Sequence, residues 1–246
     1  TLEASSAASD VYKRQIGNPR YDRILNNLEN VEYKLDPSIK DEGNILIFAS
    51  MWDEDNKIIF EKFINSPLVN RFEKVIIVPH EVNDYYLNYY CSVLEDNDFS
   101  FKKINQYQNF KQFDEKYIII NKVGFLSKLY AQSTIAYVGG GFSKSGIHNI
   151  IEPAAASNPV IFGSNFLNSN KSDAEGLIDV SGGFSVDSYE LFTEKINWLL
   201  DKNNYNNSSK NCKTFVTENS GSTEKILKEL YEYCLLYTSP SPRDAS

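Results

Sequence analysis

Five short apolar runs spaced along the chain constrain its fold more than any other feature. Each run has four residues and is rich in β-branched or aromatic side chains, which is typical of a strand and too short for a helix. The runs are residues 45–48, 75–78, 117–120, 135–138 and 159–162. Because nearly every position is apolar, both faces of these strands should be covered, as in a parallel sheet. Helix-compatible stretches separate the runs, so we predict an α/β domain with a Rossmann-like, doubly wound parallel sheet.

Helical patterns fill the segments between and after the runs. We predict helices at residues 56–65, 83–96, 125–132 and 150–157, a helix ending at 180, a short strand at 183–186, and helices at 188–200, 206–217 and 222–234. The Asn-rich segment 201–207 is interpreted as a polar turn between two helices and not as a domain boundary.

The two ends of the chain differ in composition from the rest. Residues 1–15 and 236–246 are small, polar runs without an apolar period, so we expect disordered tails outside the core. They resemble translated sequencing-adapter or assembly scars, with natural disordered tails as the alternative. We therefore expect the native domain to span residues 16–235 and to come from a longer protein.

Composition argues against several classes of function. The formal net charge is −8 and no cluster of Lys or Arg stands out, which disfavours a nucleic-acid partner. No apolar run approaches the ~20 residues needed to cross a bilayer and no signal peptide is recognisable, so we expect a soluble, cytosolic domain. Cys91, Cys212 and Cys234 are widely spaced and only two histidines accompany them, which argues against a zinc site.

The segment Tyr137-Val-Gly-Gly-Gly-Phe-Ser-Lys-Ser-Gly-Ile-His-Asn-Ile-Ile-Glu-Pro153 carries the strongest functional signal. A strand runs into glycines, a polar loop and a helix start. Glycines let backbone N–H groups approach a ligand, and the start of a helix favours negative charge, so this order suits a phosphate. The carboxylate of Glu152 can accept hydrogen bonds from ribose hydroxyls. We therefore predict a nucleotide site.

Two better-known phosphate loops do not fit this segment. Gly141-Phe-Ser-Lys-Ser-Gly146 has the glycine spacing of a P-loop, but Ile147-His148 stands where Lys-Ser/Thr is required. The glycines also miss the Gly-x-Gly-x-x-Gly spacing of a dinucleotide site. The sequence thus argues against a kinase, an ATPase and a hydride-transfer enzyme.

Four segments that contain polar residues or glycines follow predicted strands. They are residues 49–54, 79–81, 139–149 and 163–165. Ligands of such sheets bind at the carboxyl ends of the strands, near the topological switch point. We therefore expect the four segments to form one shared site.

Six motifs occur in order along residues 16–235. They are Gly17-Asn-Pro-Arg-Tyr-Asp22, Ala49-Ser-Met-Trp-Asp-Glu-Asp55, Val78-Pro-His-Glu81, Gly124-Phe-Leu-Ser-Lys-Leu-Tyr-Ala131, Tyr137-Val-Gly-Gly-Gly141 and His148-Asn-Ile-Ile-Glu-Pro-Ala154. Together they resemble the C-terminal domain of the 3-deoxy-D-manno-octulosonic acid (Kdo) transferases, which are GT-B glycosyltransferases.

The resemblance implies the C-terminal half of a GT-B enzyme of lipopolysaccharide biosynthesis. The donor would be CMP-Kdo, with no cofactor. The acceptor, a lipid A precursor (lipid IVA), would be held mainly by an N-terminal domain that also carries the general base and that this chain lacks. The full-length protein would lie on the cytoplasmic face of the bacterial inner membrane. The chain alone should bind donor or CMP and catalyse little.

The resemblance also implies roles for single residues. Ser50 and Trp52 would border the donor cleft, Gly139, Gly140, Gly141 and Ser143 would lie at the phosphate, and His148, Asn149 and Glu152 would contact the nucleotide. The sequence departs from the family at Ala49-Ser-Met, where Gly-Ser-Thr is usual, and at residues 143–147, a short form of a variable loop.

Sugar transfer from CMP requires stabilisation of the charge that builds on the departing phosphate. Fixed N–H donors and a cation provide it. Lys144 and Arg20 are the candidate cations, and Lys144 is the better placed in the sequence. His80 and Glu81 form a weaker candidate pair. The triplet Asp53-Glu-Asp55 has the Asp-x-Asp spacing of some metal sites but fits the start of a helix equally well, so we predict metal-independent transfer.

Two other functions remain compatible with these residues. Another GT-B enzyme could hold a uridine nucleotide with the same loop and glutamate, either as a UDP-sugar transferase or as a relative of UDP-N-acetylglucosamine 2-epimerase. A nucleotide-binding module without transfer activity is the third hypothesis. Nucleobase preference separates a GT-B enzyme with a uridine donor from a Kdo transferase. The sequence upstream of Gly17 tests the hypothesis of a module without transfer activity.

Overall fold

The computed structural model describes residues 17–33, 43–166 and 170–238, with side chains through residue 232. The described strands are β1 (Ile45–Met51), β2 (Lys74–Pro79), β3 (Phe101–Ile104), β4 (Tyr117–Ile120), β5 (Ile135–Val138), β6 (Val160–Gly163) and β7 (Gly183–Val186). The helices are α1 (Arg20–Glu29), α2 (Asp53–Asp55), α3 (Glu61–Ile64), α4 (Asp84–Glu95), α5 (Leu126–Tyr130), α6 (Ile151–Ala155), α7 (Lys171–Asp179), α8 (Tyr189–Leu199), α9 (Lys202–Glu218) and α10 (Ser222–Thr238). A π-helical segment, Asn56–Phe60, joins α2 to α3, and short 3-10 helices lie at Pro67–Arg71 and Phe110–Gln112.

The seven strands form one parallel sheet in the order β3-β4-β2-β1-β5-β6-β7. Strands β2, β4 and β5 are buried at every position, as a sheet covered on both faces requires. From β1 the chain builds towards one edge through β2 and towards the other through β5. The switch point therefore lies between β1 and β5, and the doubly wound sheet predicted from the sequence is confirmed.

Aromatic side chains fill the core on one face of the sheet. Phe48, at the centre of β1, contacts the rings of Phe60 and Phe63 with centroids 5.4 and 5.2 Å apart. Tyr137 of β5 and Phe192 of α8 complete the cluster, their centroids 5.9 Å apart. The helical run after β1 and helix α8 are thereby fixed against the two central strands.

Strand β3 was not predicted from the sequence. It reads Phe101-Lys-Lys-Ile104, and both lysines are exposed. The strand lies at the edge of the sheet, where charged side chains keep the free edge from pairing with another chain. An edge strand lacks the continuous apolar signal that identified its neighbours.

The interpretation of residues 201–207 as a turn was wrong. Helix α9 begins at Lys202, because the side chain of Asp201 accepts hydrogen bonds from the N–H groups of Asn203 and Asn204, both at 3.0 Å. An aspartate in the N-cap position satisfies donors that the first helical turn leaves free. The asparagines that suggested a turn therefore lie within the helix.

Helix α1 is fastened to two other helices by its own side chains. Arg20 forms an ion pair with Asp173 of α7, and the Tyr21 hydroxyl donates to the same carboxylate at 2.7 Å. Asp22 accepts hydrogen bonds from Thr223 at the start of α10, at 2.8 Å from N–H and 2.7 Å from the hydroxyl. Desolvation raises the pKa of Asp22, but the hydrogen bonds that its carboxylate accepts outweigh this effect, so the pKa is lower than usual. Three consecutive residues thus tie α1, α7 and α10 together.

We expect Asp173→Asn to lower the free energy of unfolding by about 2 kcal/mol. Asp173 is buried, and an amide in either orientation would remove the negative charge that now faces the guanidinium of Arg20. The partial exposure of Arg20 keeps the loss moderate. Urea denaturation followed by circular dichroism measures it. Asp179→Asn, at an exposed position of the same helix, should change stability by less than about 0.5 kcal/mol; equal losses in both variants would contradict the role given to Asp173.

The expected tail at residues 1–15 lies outside the described residues. Helix α10 continues to Thr238, past the expected domain end at residue 235, and residues 239–246 are also outside the described part. Among the described residues, no helix is both long enough and apolar enough to cross a membrane.

Candidate functional site

The residues that follow β1, β2, β5 and β6 meet at one edge of the sheet. We call residues 50–55, 80, 139–152 and 163–165 the strand-end site. Trp52 follows β1 and touches both His80, which follows β2, and His148, which follows the loop after β5. The loop after β6 contacts the loop after β5 through Asn165 and Gly141. The sequence-based expectation that these segments converge is therefore met at the switch point.

Trp52, His80 and His148 form an aromatic cluster. The rings of Trp52 and His80 are stacked, with centroids 3.9 Å apart and an interplanar angle of 22°. The two histidine centroids are 4.7 Å apart. The indole Nε1–H donates a hydrogen bond to Nε2 of His148 at 2.8 Å. His80, a weaker candidate in the sequence, thus belongs to the same cluster as the two predicted site residues.

Both histidines favour the neutral form. Desolvation lowers the pKa of His148, and the neighbouring His80 acts in the same direction. Desolvation also lowers the pKa of His80, against the opposing charge of Glu81. The cluster is therefore an uncharged aromatic surface with hydrogen-bonding edges.

The glycine loop after β5 is held by its own backbone. Gly140 has φ 93°, and a Cβ there would collide with the carbonyl oxygen of Gly146. The N–H of His148 donates to the carbonyl of Gly139 at 3.2 Å, which closes the loop. Gly140 can therefore occupy this position only because it has no side chain.

Ser143 lies inside this loop. Its hydroxyl donates to the carbonyl of Gly140 at 2.9 Å and accepts from the N–H of Ser145 at 3.2 Å. The residue is buried, whereas its neighbour Lys144 is exposed. The structure thus places the Ser143 side chain in a loop-stabilising position and leaves Lys144 as the accessible cation of the loop.

The loops after β5 and β6 touch at two glycines. A Cβ on Gly141 would lie 2.5 Å from the backbone of Gly163, so neither residue can carry a side chain without moving the other. Asn165 strengthens the contact, since its N–H donates to the carbonyl of Gly141 at 2.8 Å and its amide to the carbonyl of Ser143 at 2.5 Å. Carbonyl groups of the glycine loop are therefore occupied from the β6 side.

Several N–H groups of the loop remain available. Among the described residues, the N–H groups of Gly141, Phe142 and Lys144 have no hydrogen-bond acceptor. The helix that follows, α6, has only five residues, so its dipole contributes less than the sequence suggested. Any anion held here would depend mainly on the loop N–H groups.

Asn149 and Glu152 form a pair at the start of α6. The Asn149 amide donates to Oε1 of Glu152 at 2.9 Å, and its oxygen accepts from the N–H of Ile151 at 3.0 Å. Burial raises the pKa of the Glu152 carboxyl, while the hydrogen bond from Asn149 and the charges of Arg23 and Arg20 lower it. Glu152 is only partly buried, so its second oxygen can serve a ligand.

Asp55 is a residue of the strand-end site that was not assigned from the sequence. It is completely buried and accepts three hydrogen bonds, from the Tyr137 hydroxyl at 2.6 Å, the N–H of Gly140 at 2.8 Å and the N–H of Trp52 at 3.1 Å. Burial raises the pKa of this carboxyl against the effect of those donors. A single side chain therefore joins the loop after β1 to the glycine loop.

Ser50 occupies an unusual backbone position. Its φ is 54°, in the left-handed region that is uncommon for residues other than glycine. The register of β1 against β2 shifts between Ala49 and Met51, so a bulge ends the strand at this point. The bulge turns the chain into the segment that carries Trp52.

Arg20 is already engaged within the fold. In addition to its ion pair with Asp173, it donates to the side-chain oxygen of Asn170 at 3.3 Å. The amide of Asn170 donates in turn to the carbonyls of Ile147 and His148, both at 3.1 Å. Arg20 thus supports the glycine loop from behind, and its charge is paired.

The described residues contain no group of three or more His, Cys, Asp or Glu side chains that could hold a metal ion. Metal-independent transfer, which we expect from the sequence, stays a prediction.

No protein-family model matches the chain, but curated proteins do. A 3-deoxy-D-manno-octulosonic acid transferase of Rickettsia bellii is 27% identical over 215 residues, which are 85% of this chain and 48% of that protein. Another from Chlamydia trachomatis is 27% identical over 194 residues, covering 77% of this chain and 43% of that protein. The chain is homologous to the Kdo transferases.

The Kdo transferase homology extends over only part of the relatives. A bifunctional glycosyltransferase/methyltransferase of Fusobacterium nucleatum is also similar, at 27% identity over 87% of this chain and 32% of that protein. The chain thus spans about a third to a half of the length of the curated relatives it matches.

Solved structures confirm the fold of this Kdo transferase homologue. The C-terminal CMP-Kdo binding domain of WaaA from Acinetobacter baumannii matches 80% of this chain and 98% of its own, with a TM-score of 0.60 at 15% identity. Sucrose-phosphate synthase from Thermosynechococcus elongatus matches 92% of this chain and 51% of its own, with a TM-score of 0.51 at 13% identity. These matches confirm the predicted fold, a Rossmann-like, doubly wound parallel sheet of the kind found in GT-B glycosyltransferases.

Proposed function

We propose that this chain is the donor-binding part of a Kdo transferase and that the strand-end site holds CMP-Kdo. The observation that carries the proposal is the hydrogen-bonded pair of Asn149 and Glu152 beside a glycine loop with free N–H groups, at the switch point of the sheet. Free N–H groups can donate hydrogen bonds to the phosphate of a nucleotide, and a carboxylate can accept hydrogen bonds from its ribose hydroxyls. Homology to Kdo transferases supports CMP-Kdo as the particular donor.

The phosphate of the donor binds at the glycine loop in this proposal. The free N–H groups of Gly141 and Phe142 supply donors. The hydrogen bonds from Gly140 to Asp55, from Asn165 to Ser143 and from Gly146 to Ser143 keep the loop in one conformation. Donors that are already in place stabilise charge on the departing CMP without reorganisation.

The ribose binds at Glu152. A carboxylate whose one oxygen is occupied by Asn149 can accept ribose hydroxyl hydrogen bonds at the other. Trp52 and His148, which are hydrogen-bonded to each other, also contact the nucleotide. Ser50, with its positive φ, begins the segment after β1 that carries Trp52.

Lys144 supplies the positive charge for the leaving phosphate. It is exposed on the glycine loop, and it has no salt-bridge partner among the described residues. Arg20 is paired with Asp173, so it contributes by supporting the loop and not as a free cation. The transfer is metal-independent in this proposal.

The acceptor and the general base come from elsewhere in the whole protein. The chain matches only a third to a half of its relatives' length, which leaves room for a second domain that holds a lipid A precursor. We propose that the whole protein works at the cytoplasmic face of the inner membrane, where that acceptor is found.

Calorimetric titration of the full 246-residue chain with CMP, UMP and UDP at pH 7.5 tests the donor site. CMP should bind more tightly than either uridine nucleotide, and Glu152→Gln should weaken CMP binding about 10- to 100-fold, since hydrogen bonds to a charged group contribute about 1.5–3 kcal/mol. Glu190→Gln, an exposed glutamate in the first turn of α8, is the matched control and should bind CMP normally.

The other outcomes separate the alternatives. Tighter binding of UMP or UDP would contradict the assignment as a Kdo transferase and favour another GT-B enzyme with a uridine nucleotide donor. Glycosyltransferases solved with UDP share this fold, such as an alpha-glucosyltransferase at a TM-score of 0.52. A folded chain that binds none of the three nucleotides would overturn the proposed site.

A further inference from the structure

The hydrogen bond between Trp52 and His148 fixes where the imidazole carries its proton. Indole Nε1–H is a donor only, so Nε2 of His148, at 2.8 Å, must act as the acceptor and carry no proton. A neutral imidazole with a bare Nε2 bears its proton on Nδ1. Within the described residues, Nδ1 makes no hydrogen bond, so its N–H is left for a ligand.

We propose that Trp52 is a positioning residue that holds His148 as the Nδ1–H tautomer, so that the ring offers the bound nucleotide an N–H donor. The proposal rests on the proposed function, which places the nucleotide in the strand-end site. The acceptor it serves is an oxygen of the nucleotide, on its phosphate or its sugar.

The surroundings of both residues keep this arrangement in place. His80 stacks on the indole at 3.9 Å and fixes its plane. The backbone of His148 is held on both sides, since its N–H donates to Gly139 and its carbonyl accepts from the amide of Asn170. Desolvation and the nearby His80 lower the pKa of His148, so the ring is neutral near pH 7.

The arrangement also determines what His148 cannot do. To accept a proton at Nε2 it must lose the hydrogen bond from Trp52. His148 is therefore a donor to the ligand and not the general base that activates the acceptor hydroxyl. That assignment agrees with a base located outside this chain.

The chain is well suited to a direct test because it contains only two histidines and two tryptophans. Labelling histidine with ¹⁵N in the full chain gives signals from His80 and His148 alone, and His148→Gln identifies which belong to His148. The ¹⁵N shifts at pH 7.5, without nucleotide, should show Nδ1 protonated and Nε2 bare. Trp52→Phe keeps an aromatic ring against His80 but removes the N–H, so His148 should become a mixture of tautomers.

CMP titration of the same proteins tests the role towards the ligand. Trp52→Phe should weaken CMP binding about 3- to 10-fold, whereas Trp198→Phe, at the only other tryptophan and on the surface of α8, should change neither the tautomer nor the affinity.

Three results would overturn the inference: an Nε2–H tautomer in the unaltered chain, an unchanged tautomer in Trp52→Phe, or a changed tautomer with unchanged CMP affinity. If the unaltered chain binds no CMP, the proposed function fails, while the spectra of the nucleotide-free proteins still decide the tautomer. The two failures are thus distinguishable.

Discussion

Replacing Asp55 by alanine should lower the free energy of unfolding by about 3–5 kcal/mol. The substitution leaves three buried partners without an acceptor, namely the Tyr137 hydroxyl and the N–H groups of Gly140 and Trp52. A buried polar group left unsatisfied costs about 1–3 kcal/mol. Urea denaturation measures the loss, and CMP binding should fall with it because the glycine loop loses its attachment to β1.

Two further variants make this expectation sharper. Asp55→Asn should recover most of the loss, since the amide oxygen can accept from both N–H groups while the NH₂ group donates to the Tyr137 oxygen. Glu54→Gln, at the preceding exposed position, should be neutral within about 0.5 kcal/mol. An alanine variant as stable as the Glu54 variant would show that Asp55 does not join the two loops.

The same carboxyl should give the fold a pH dependence. Burial raises the pKa of Asp55 above its ordinary value of 3.8, so the folded chain binds this proton more tightly than the unfolded chain. Its contribution to stability is complete at low pH and is lost as the pH rises through the folded pKa. The advantage of the unaltered chain over Asp55→Asn should therefore shrink as the pH rises above about 4.

Replacing Gly140 by alanine should destabilise the chain far more than the same change at Gly124. Both glycines have φ near 90°, at 93° and 91°, so the cost of placing a side chain in that conformation is shared. Nothing lies within 4 Å of a Cβ on Gly124, whereas one on Gly140 would overlap the carbonyl oxygen of Gly146 and lie 3.2 Å from the His148 ring.

The pair therefore separates backbone strain from collision. Gly124→Ala should cost about 1–2 kcal/mol, and Gly140→Ala about 1–3 kcal/mol more, as overpacking does. Gly140→Ala should also lose most of its CMP affinity, because the N–H groups after it move with the loop. Denaturation curves and CMP titrations of both variants measure these effects; equal stability losses would mean that the loop can yield at no cost.

Much of this architecture follows from short-range patterns in the sequence. The buried strands are recognisable because both faces need apolar side chains, and the site loops are recognisable because parallel strands deliver their carboxyl ends to one edge. Strand β3 and the start of α9 lack such patterns, since Lys102 and Lys103 suit an edge strand and the asparagines after Asp201 resemble a turn.

The interior of the site could not be predicted because its contacts join distant residues. Asp55 and Gly140 are 85 positions apart, and Trp52 and His148 are 96 apart. Neither pair leaves a local signature, and Asp55 appeared to be an ordinary helix start. The engagement of Arg20 with Asp173, 153 positions away, was hidden in the same way.

The contact between Gly141 and Gly163 has a consequence for how this site can change in evolution. It fixes the inner end of the glycine loop against the next strand, while Lys144 and Ser145 at the outer end are exposed. Insertions and deletions can therefore be accommodated at the outer end without displacing the backbone at Gly141. The loop can differ in length among descendants of one ancestor while its inner end keeps a constant shape.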